Sequence, residues 1–156
     1  MKIYIIGGPG SGKTFLAEKL SKQYGIHHYE LDDLQWDNKS NNYGSKRDSK
    51  ERDELLSQLL HKNDWIIEGV YYAWCGQCFE DADMIYLLNV TRFKYRYRII
   101  RRYLRRKIGI EKGKKETLRS LSKLLKWADK YQRENLVEIK SILRQYQDKT
   151  RSYGDI

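Results

Sequence analysis

Lys2-Ile3-Tyr4-Ile5-Ile6-Gly7, running directly into Gly8-Pro9-Gly10-Ser11-Gly12-Lys13-Thr14, decides how the rest of the chain is read. The first six residues are a short apolar run that stops at glycine, the pattern of a buried strand. The next eight, counted from Gly7, fill the phosphate-cradle pattern GxxxxGK[ST] completely. Glycines let successive N–H groups converge on a phosphate, and a helix opening near Lys13 adds its positive end. Lys13 is placed to reach the β- and γ-phosphates, and the Thr14 hydroxyl to ligate Mg²⁺. Gly7, Gly8, Pro9, Gly10, Ser11, Gly12, Lys13 and Thr14 are therefore the expected nucleotide-binding residues, with ATP and Mg as cofactors.

Outward from that stretch, strands alternate with helices. Leu16 and Leu20 stripe a helix over Lys13–Tyr24, which Gly25 ends. Ile26–Leu31 reads as a second strand running into Asp32-Asp33, and Trp36–Arg47 as a polar loop. Asp48 and Glu51 form a capping-box start for a helix carrying Leu55, Leu56, Leu59 and Leu60. Trp65–Glu68 and Met84–Leu88 read as strands, with a short helical piece between them in Tyr71–Phe79. Thr91 caps a long helix through Ile108, whose core stripe is Phe93, Tyr97, Ile100, Leu104 and Ile108 at helical spacing. After a loop over Gly109–Lys115, Thr117 to about Tyr146 is helical, with Leu118, Leu121, Leu125 and Ala128 on one face and Ile139, Ile142 and Leu143 continuing it. No clear apolar strand follows Tyr146. The expected class is α/β, a P-loop NTPase with a mainly parallel sheet of four or five strands.

The 156 residues, 40% hydrophobic and 33% charged, suit one soluble domain over 1–156 with its own core. No run is long and apolar enough for a membrane span, and the short start is no signal peptide. Two cysteines without an export signal point to a reducing, cytoplasmic setting. Cys75-Gly76-Gln77-Cys78 has redox or zinc spacing, but a zinc would need two ligands from His27, His28 and His61, which form no constellation. The net charge of +10 is unevenly spread. Residues 1–91 are net negative, whereas residues 92–115 hold twelve Lys or Arg against one acid, Glu111. Such a local block fits a phosphate clamp better than a general nucleic-acid surface.

A cradle this near the N-terminus, with a basic helix and short loop around residue 100, resembles the nucleoside monophosphate kinase-like P-loop kinases. Leu31-Asp32-Asp33-Leu34-Gln35-Trp36, Asn42-Tyr43-Gly44-Ser45-Lys46-Arg47, Trp65-Ile66-Ile67-Glu68-Gly69-Val70-Tyr71 and Arg98-Ile99-Ile100-Arg101-Arg102 narrow the likeness. They resemble the adenylate-kinase-related group labelled DNA topology modulation proteins, over about residues 1–110. The resemblance implies a doubly wound kinase fold, a lid at about residues 92–116, and Glu68 near Mg²⁺ and the transferring phosphate. It also implies a fifth strand and an adenine pocket beside it, from which the polar Asp148–Ile156 departs.

Asp32 and Asp33 at a strand's carboxyl end are placed to face a cleft, accepting a hydroxyl proton or holding Mg²⁺ through water. Trp36 and Tyr71 are candidates to stack on a base or sugar. On the basic helix, Lys94, Arg98, Arg101 and Arg105 form a narrow stripe beside the expected core face, whereas Arg92, Arg96, Arg102, Arg106 and Lys107 point elsewhere. The expected chemistry is phosphoryl transfer from ATP to a nucleotide, nucleoside or other small hydroxyl acceptor. Lys13, Asp32, Arg101 and Arg105 would be catalytic, Asp32, Asp33, Trp36, Glu68, Tyr71 and Arg98 would bind substrate, and Thr14 and Glu68 would hold Mg. The alternative is a nucleotide-regulated nucleic-acid-binding protein, less favoured because no DNA-binding motif is present.

Overall fold

The computed structural model describes residues 1–37, 45–110 and 117–154. In chain order the elements are β1 (Lys2–Gly7), α1 (Lys13–Tyr24), β2 (His28–Glu30), α2 (Leu31–Gln35), β3 (Trp36–Asp37), β4 (Ser45–Lys46), α3 (Ser49–Leu60), β5 (Trp65–Gly69), α4 (Gly76–Asp81), β6 (Met84–Leu88), α5 (Arg92–Lys107), α6 (Leu118–Lys130), α7 (Leu136–Leu143) and β7 (Thr150–Tyr153). A π-helical turn, Tyr131–Asn135, joins α6 to α7, and a 3-10 segment, Arg144–Lys149, leads into β7. The main sheet is parallel in the order β2-β5-β1-β6-β7. The short β3 and β4 pair antiparallel outside it.

Because β1 is central, both its faces must be covered, and its side chains divide between them by the strand period of two. Ile3 and Ile5 pack with Ile66, Tyr86 and Leu88 against Leu16, Ala17 and Leu20 of α1. Tyr4 and Ile6 face the other way, onto Trp65, Ile67, Ile85 and Leu87, with α3 and α7 closing over them through Leu56, Leu59, Leu60, Leu136, Ile139 and Leu143. Each fully buried isoleucine contributes about 1.5–3 kcal/mol relative to exposure. A third cluster packs Val90, Tyr95 and Ile99 against Ala128, with Leu121, Leu124 and Leu125 alongside.

Several expectations shift. β2 ends at Glu30, so Asp32 and Asp33 occupy the first turn of α2, where carboxylates complement the helix's positive end. Asp48 caps α3 by accepting from the Lys50 N–H (2.9 Å), but Glu51 pairs with Arg47 (2.5 Å) instead of completing a box. The box forms at α6, between Thr117 and Ser120. Thr91 stands at the start of α5 with no side-chain cap bond. The fifth strand exists: β7 pairs parallel with β6 at the edge, although its residues are polar and mostly exposed.

The largest correction falls on α5. Phe93, Tyr97, Ile100, Leu104 and Ile108, expected in the core, are all exposed, Phe93 at 82%. Tyr95, Ile99 and Tyr103 are buried instead. The helix is turned by roughly 140° from the expected orientation at 100° per residue. Tyrosine explains the inversion, because its ring buries while its hydroxyl keeps a polar partner. Tyr95 does this, donating to Asp129 of α6 at 2.6 Å.

Candidate functional site

The loop over residues 8–12 joins the end of β1 to the start of α1, the arrangement its sequence demands. Gly10 and Gly12 take left-handed φ values of +71° and +100°, which favour glycine. Packing constrains the loop further: a Cβ on Gly10 would lie 2.8 Å from the Tyr95 carbonyl oxygen, and one on Gly8 2.9 Å from the Tyr131 ring. The Lys13 ammonium donates to the Gly8 carbonyl at 3.1 Å. Burial holds that ammonium below the ordinary lysine value, against the opposing pull of Glu68 and Asp32. Thr14 donates its hydroxyl to Glu68 at 2.5 Å, and Glu68 is only 4% exposed at the end of β5.

These residues line a cavity of about 520 Å³, within the range of small-molecule sites. Glu30, Asp32 and Glu68 line it from the carboxyl ends of β2 and β5 and the first turn of α2. Arg98, Arg102 and Arg106, one turn apart on α5, line it from the side of β6, and Leu124 and Trp127 of α6 complete the wall. Arg98 donates to the Ser11 carbonyl at 2.8 Å, so it fixes the loop's backbone to α5. Arg102 keeps a buried Nε with no hydrogen-bond partner among the described residues.

The cradle and the donors around it fit a nucleotide polyphosphate with a divalent cation. Backbone N–H groups, Lys13 and the arginines suit phosphate oxygens, and the Thr14 hydroxyl with the Glu68 carboxylate suits Mg²⁺. The profile of the AAA domain family matches residues 6–119, which span this loop, Glu68 and all of α5. The chain belongs to the AAA domain family. Within curated proteins, this AAA-family chain is 29% identical over 106 residues to the uncharacterized protein YqaC of Bacillus subtilis, covering 65% of the chain and 58% of that protein. It is 32% identical over 68 residues to human adenylate kinase isoenzyme 5 and 42% identical over 68 to the bovine form. Those two matches cover 44% of the chain and 11% of each kinase, so the chain spans only a fraction of these relatives.

The fold is shared with solved structures. A gluconokinase from Sinorhizobium meliloti 1021 superposes with a TM-score of 0.57 at 15% identity, over 98% of this chain and 81% of that one. An uncharacterized protein from Eubacterium ventriosum gives 0.52 at 16% identity, over 85% and 73%. Its sheet is of the P-loop NTPase kind, and the chain is similar to adenylate kinases over the 68 residues matched.

The expected site residues separate into groups. Pro9, Gly10, Gly12, Lys13, Thr14, Asp32, Glu68 and Arg98 line the cavity together, while Gly7, Gly8 and Ser11 support it from behind. Tyr71 acts one step back, donating to Asp32 Oδ1 at 2.8 Å. Trp36 is 39% exposed and lies off the cavity lining, as does Asp33, which faces solvent. Arg101 and Arg105 are exposed and stand outside the cavity lining, because the helix turned with its tyrosines inward. The missed residues are Arg102, Arg106, Glu30 and Trp127. A second stripe, Tyr95-Ile99-Tyr103, with Arg98-Arg102-Arg106 beside it at the same spacing, was the signal for the arginines.

Cys75 and Cys78 are fully buried beneath the sheet, among Tyr4 and Phe79. Burial pushes the Cys75 thiol far above its ordinary value, which leaves little thiolate for redox or metal chemistry. Residues 38–44 and 111–116, which hold part of the expected loop and lid, lie outside the described residues.

Proposed function

We propose that the protein is an ATP- and Mg-dependent small-molecule kinase acting on a hydroxyl acceptor. The observation that carries the reading is a cavity bounded together by Lys13, by the Thr14–Glu68 pair and by the arginines of α5. Mg²⁺ would neutralise and orient the β- and γ-phosphates when bound. Lys13, Arg102 and Arg106 would stabilise charge spreading over the transferred γ-phosphoryl, taking the role first expected of Arg101 and Arg105. Asp32, its carboxylate oriented by the Tyr71 hydroxyl, would accept the acceptor's proton. Arg98 would keep the loop and the arginine helix in register through its bond to Ser11.

The test is ADP release and nucleotide binding by Lys13→Ala. A folded variant that loses most turnover supports the assignment, and wild-type turnover in that variant removes it. A second reading, nucleotide-regulated binding of nucleic acid, draws on the likeness to DNA topology modulation proteins. It is favoured by one feature: the outward face of α5, where Arg101 and Arg105 stand among exposed Phe93, Tyr97, Ile100 and Leu104. If that face tracks a duplex, each phosphate contact removed should lower the salt slope of binding by about one.

A further inference from the structure

The cavity has two ends of opposite charge, and the sheet order puts them there. β1, which feeds the phosphate loop, is flanked by β5 and then β2 on one side and by β6 on the other. The arginine helix α5 follows β6, so Arg98, Arg102 and Arg106 enter from that side. Glu30 ends β2, Asp32 opens α2 and Glu68 sits near the end of β5, so the opposite side is acidic. Lys13 lines the cavity as well, but the triphosphate would engage it. Arg47 bonds the Leu34 carbonyl and Glu51, and Arg52 bonds Asp53. Among the described residues, neither lines the cavity.

We infer, resting on the kinase reading, that the acceptor is an uncharged polyhydroxyl compound or nucleoside, and that its anionic counterparts are excluded by Glu30, Asp32 and Glu68. Carboxylates accept hydrogen bonds from hydroxyl groups and repel phosphate or carboxylate groups. The carboxylates are crowded: Glu30 and Glu68 stand at paired positions on β2 and β5, and both line the cavity with Asp32. Two like charges about 6 Å apart at an effective dielectric near 20 disfavour binding by about a hundredfold. One carboxylate is needed for the chemistry. The acceptor oxygen gives its proton to Asp32 and forms a bond to the γ-phosphorus, while the bond from that phosphorus to the β-phosphate's bridging oxygen breaks and ADP leaves with the electron pair. Glu30 has no such duty, which makes it the selectivity residue. Trp127, which lines the cavity from α6, offers a ring face that suits a sugar or base.

The experiment compares matched pairs, adenosine with adenosine 5′-monophosphate and glucose with gluconate. Binding is read by calorimetry with Mg²⁺ and a non-hydrolysable ATP analogue, and turnover by ADP release. The neutral member of at least one pair should be favoured by tenfold or more, and Glu30→Gln should shrink that gap. Preference for the anionic members, a gap unchanged in Glu30→Gln, or no saturable binding of any neutral member at millimolar concentration overturns the inference. Failure of the kinase reading looks different: the ATP analogue itself would bind wild type and Lys13→Ala equally.

Discussion

At single positions, the phosphate loop is specified as much by what lies behind it as by what it holds. Gly8 must lack a Cβ because the Tyr131 ring occupies that space, and Gly10 combines a left-handed backbone with contact against the Tyr95 carbonyl. The loop's glycines were readable from their spacing. Tyr131 was not, because only the return of the chain after α6 brings it beneath the loop. Its hydroxyl is buried with no partner among the described residues, and burial raises it above the usual phenol value. A buried hydroxyl without a partner costs more than its absence. Tyr131→Phe should therefore leave turnover unchanged and raise unfolding stability by up to about 1 kcal/mol in denaturant titrations. A loss of stability instead would show that the hydroxyl is satisfied.

Among the elements, α5 carries the tension between hydrophobic counting and function. Its sequence offers two apolar faces, and the more strictly apolar one is left in solvent. The tyrosine face wins because it packs on α6 while turning Arg98, Arg102 and Arg106 toward the phosphate loop. Spacing alone could not choose, since the decision depends on a partner helix far along the chain. Arg102→Ala should cut turnover by about 10² or more, whereas Arg101→Ala should change it little. Equal losses at both positions, read by ADP release, would return the outward face to the active site. The docking of α5 on α6 rests on Asp129, which accepts from Tyr95 (2.6 Å), Arg92 (2.8 Å) and Arg96 (2.7 Å). These bonds hold its carboxyl below the ordinary value, while burial, and after it the bond to Asp129, pushes the Tyr95 hydroxyl up to about 12. A carboxylate with a lowered folded value stabilises above its unfolded value, near pH 4, and that stabilisation fades as pH falls through the folded one. Asp129→Asn should accordingly be less stable than wild type at neutral pH. The gap in melting temperature should close below about pH 4.

Over the whole molecule, the mainly parallel sheet was legible because buried parallel strands read as apolar runs. The edge strand β7 was not. Its Thr150-Arg151-Ser152-Tyr153 contributes backbone bonds to β6 and one ring, Tyr153, tilted against Tyr86 at 5.5 Å, so no apolar run marks it. Its charged and polar side chains suit an edge that must not pair with another chain. Asn89, just past β6, donates its N–H to the Tyr153 carbonyl at 2.9 Å, and Thr150 donates its hydroxyl to the Tyr146 carbonyl at 2.7 Å. Deleting residues 150–156 removes these bonds and exposes β6 as an edge. At about 0.5–1.5 kcal/mol per net hydrogen bond and about 1 for the ring pair, these two bonds and the ring alone account for about 2–4 kcal/mol, so the loss should be at least that. The phosphate loop hangs from β1, which β5 and β6 still flank, so Mg–nucleotide binding measured well below the lowered melting point should persist. If binding instead disappears while stability holds, the final segment touches the nucleotide. The adenine would then lie beside β7, as the resemblance to adenylate-kinase-related proteins implies.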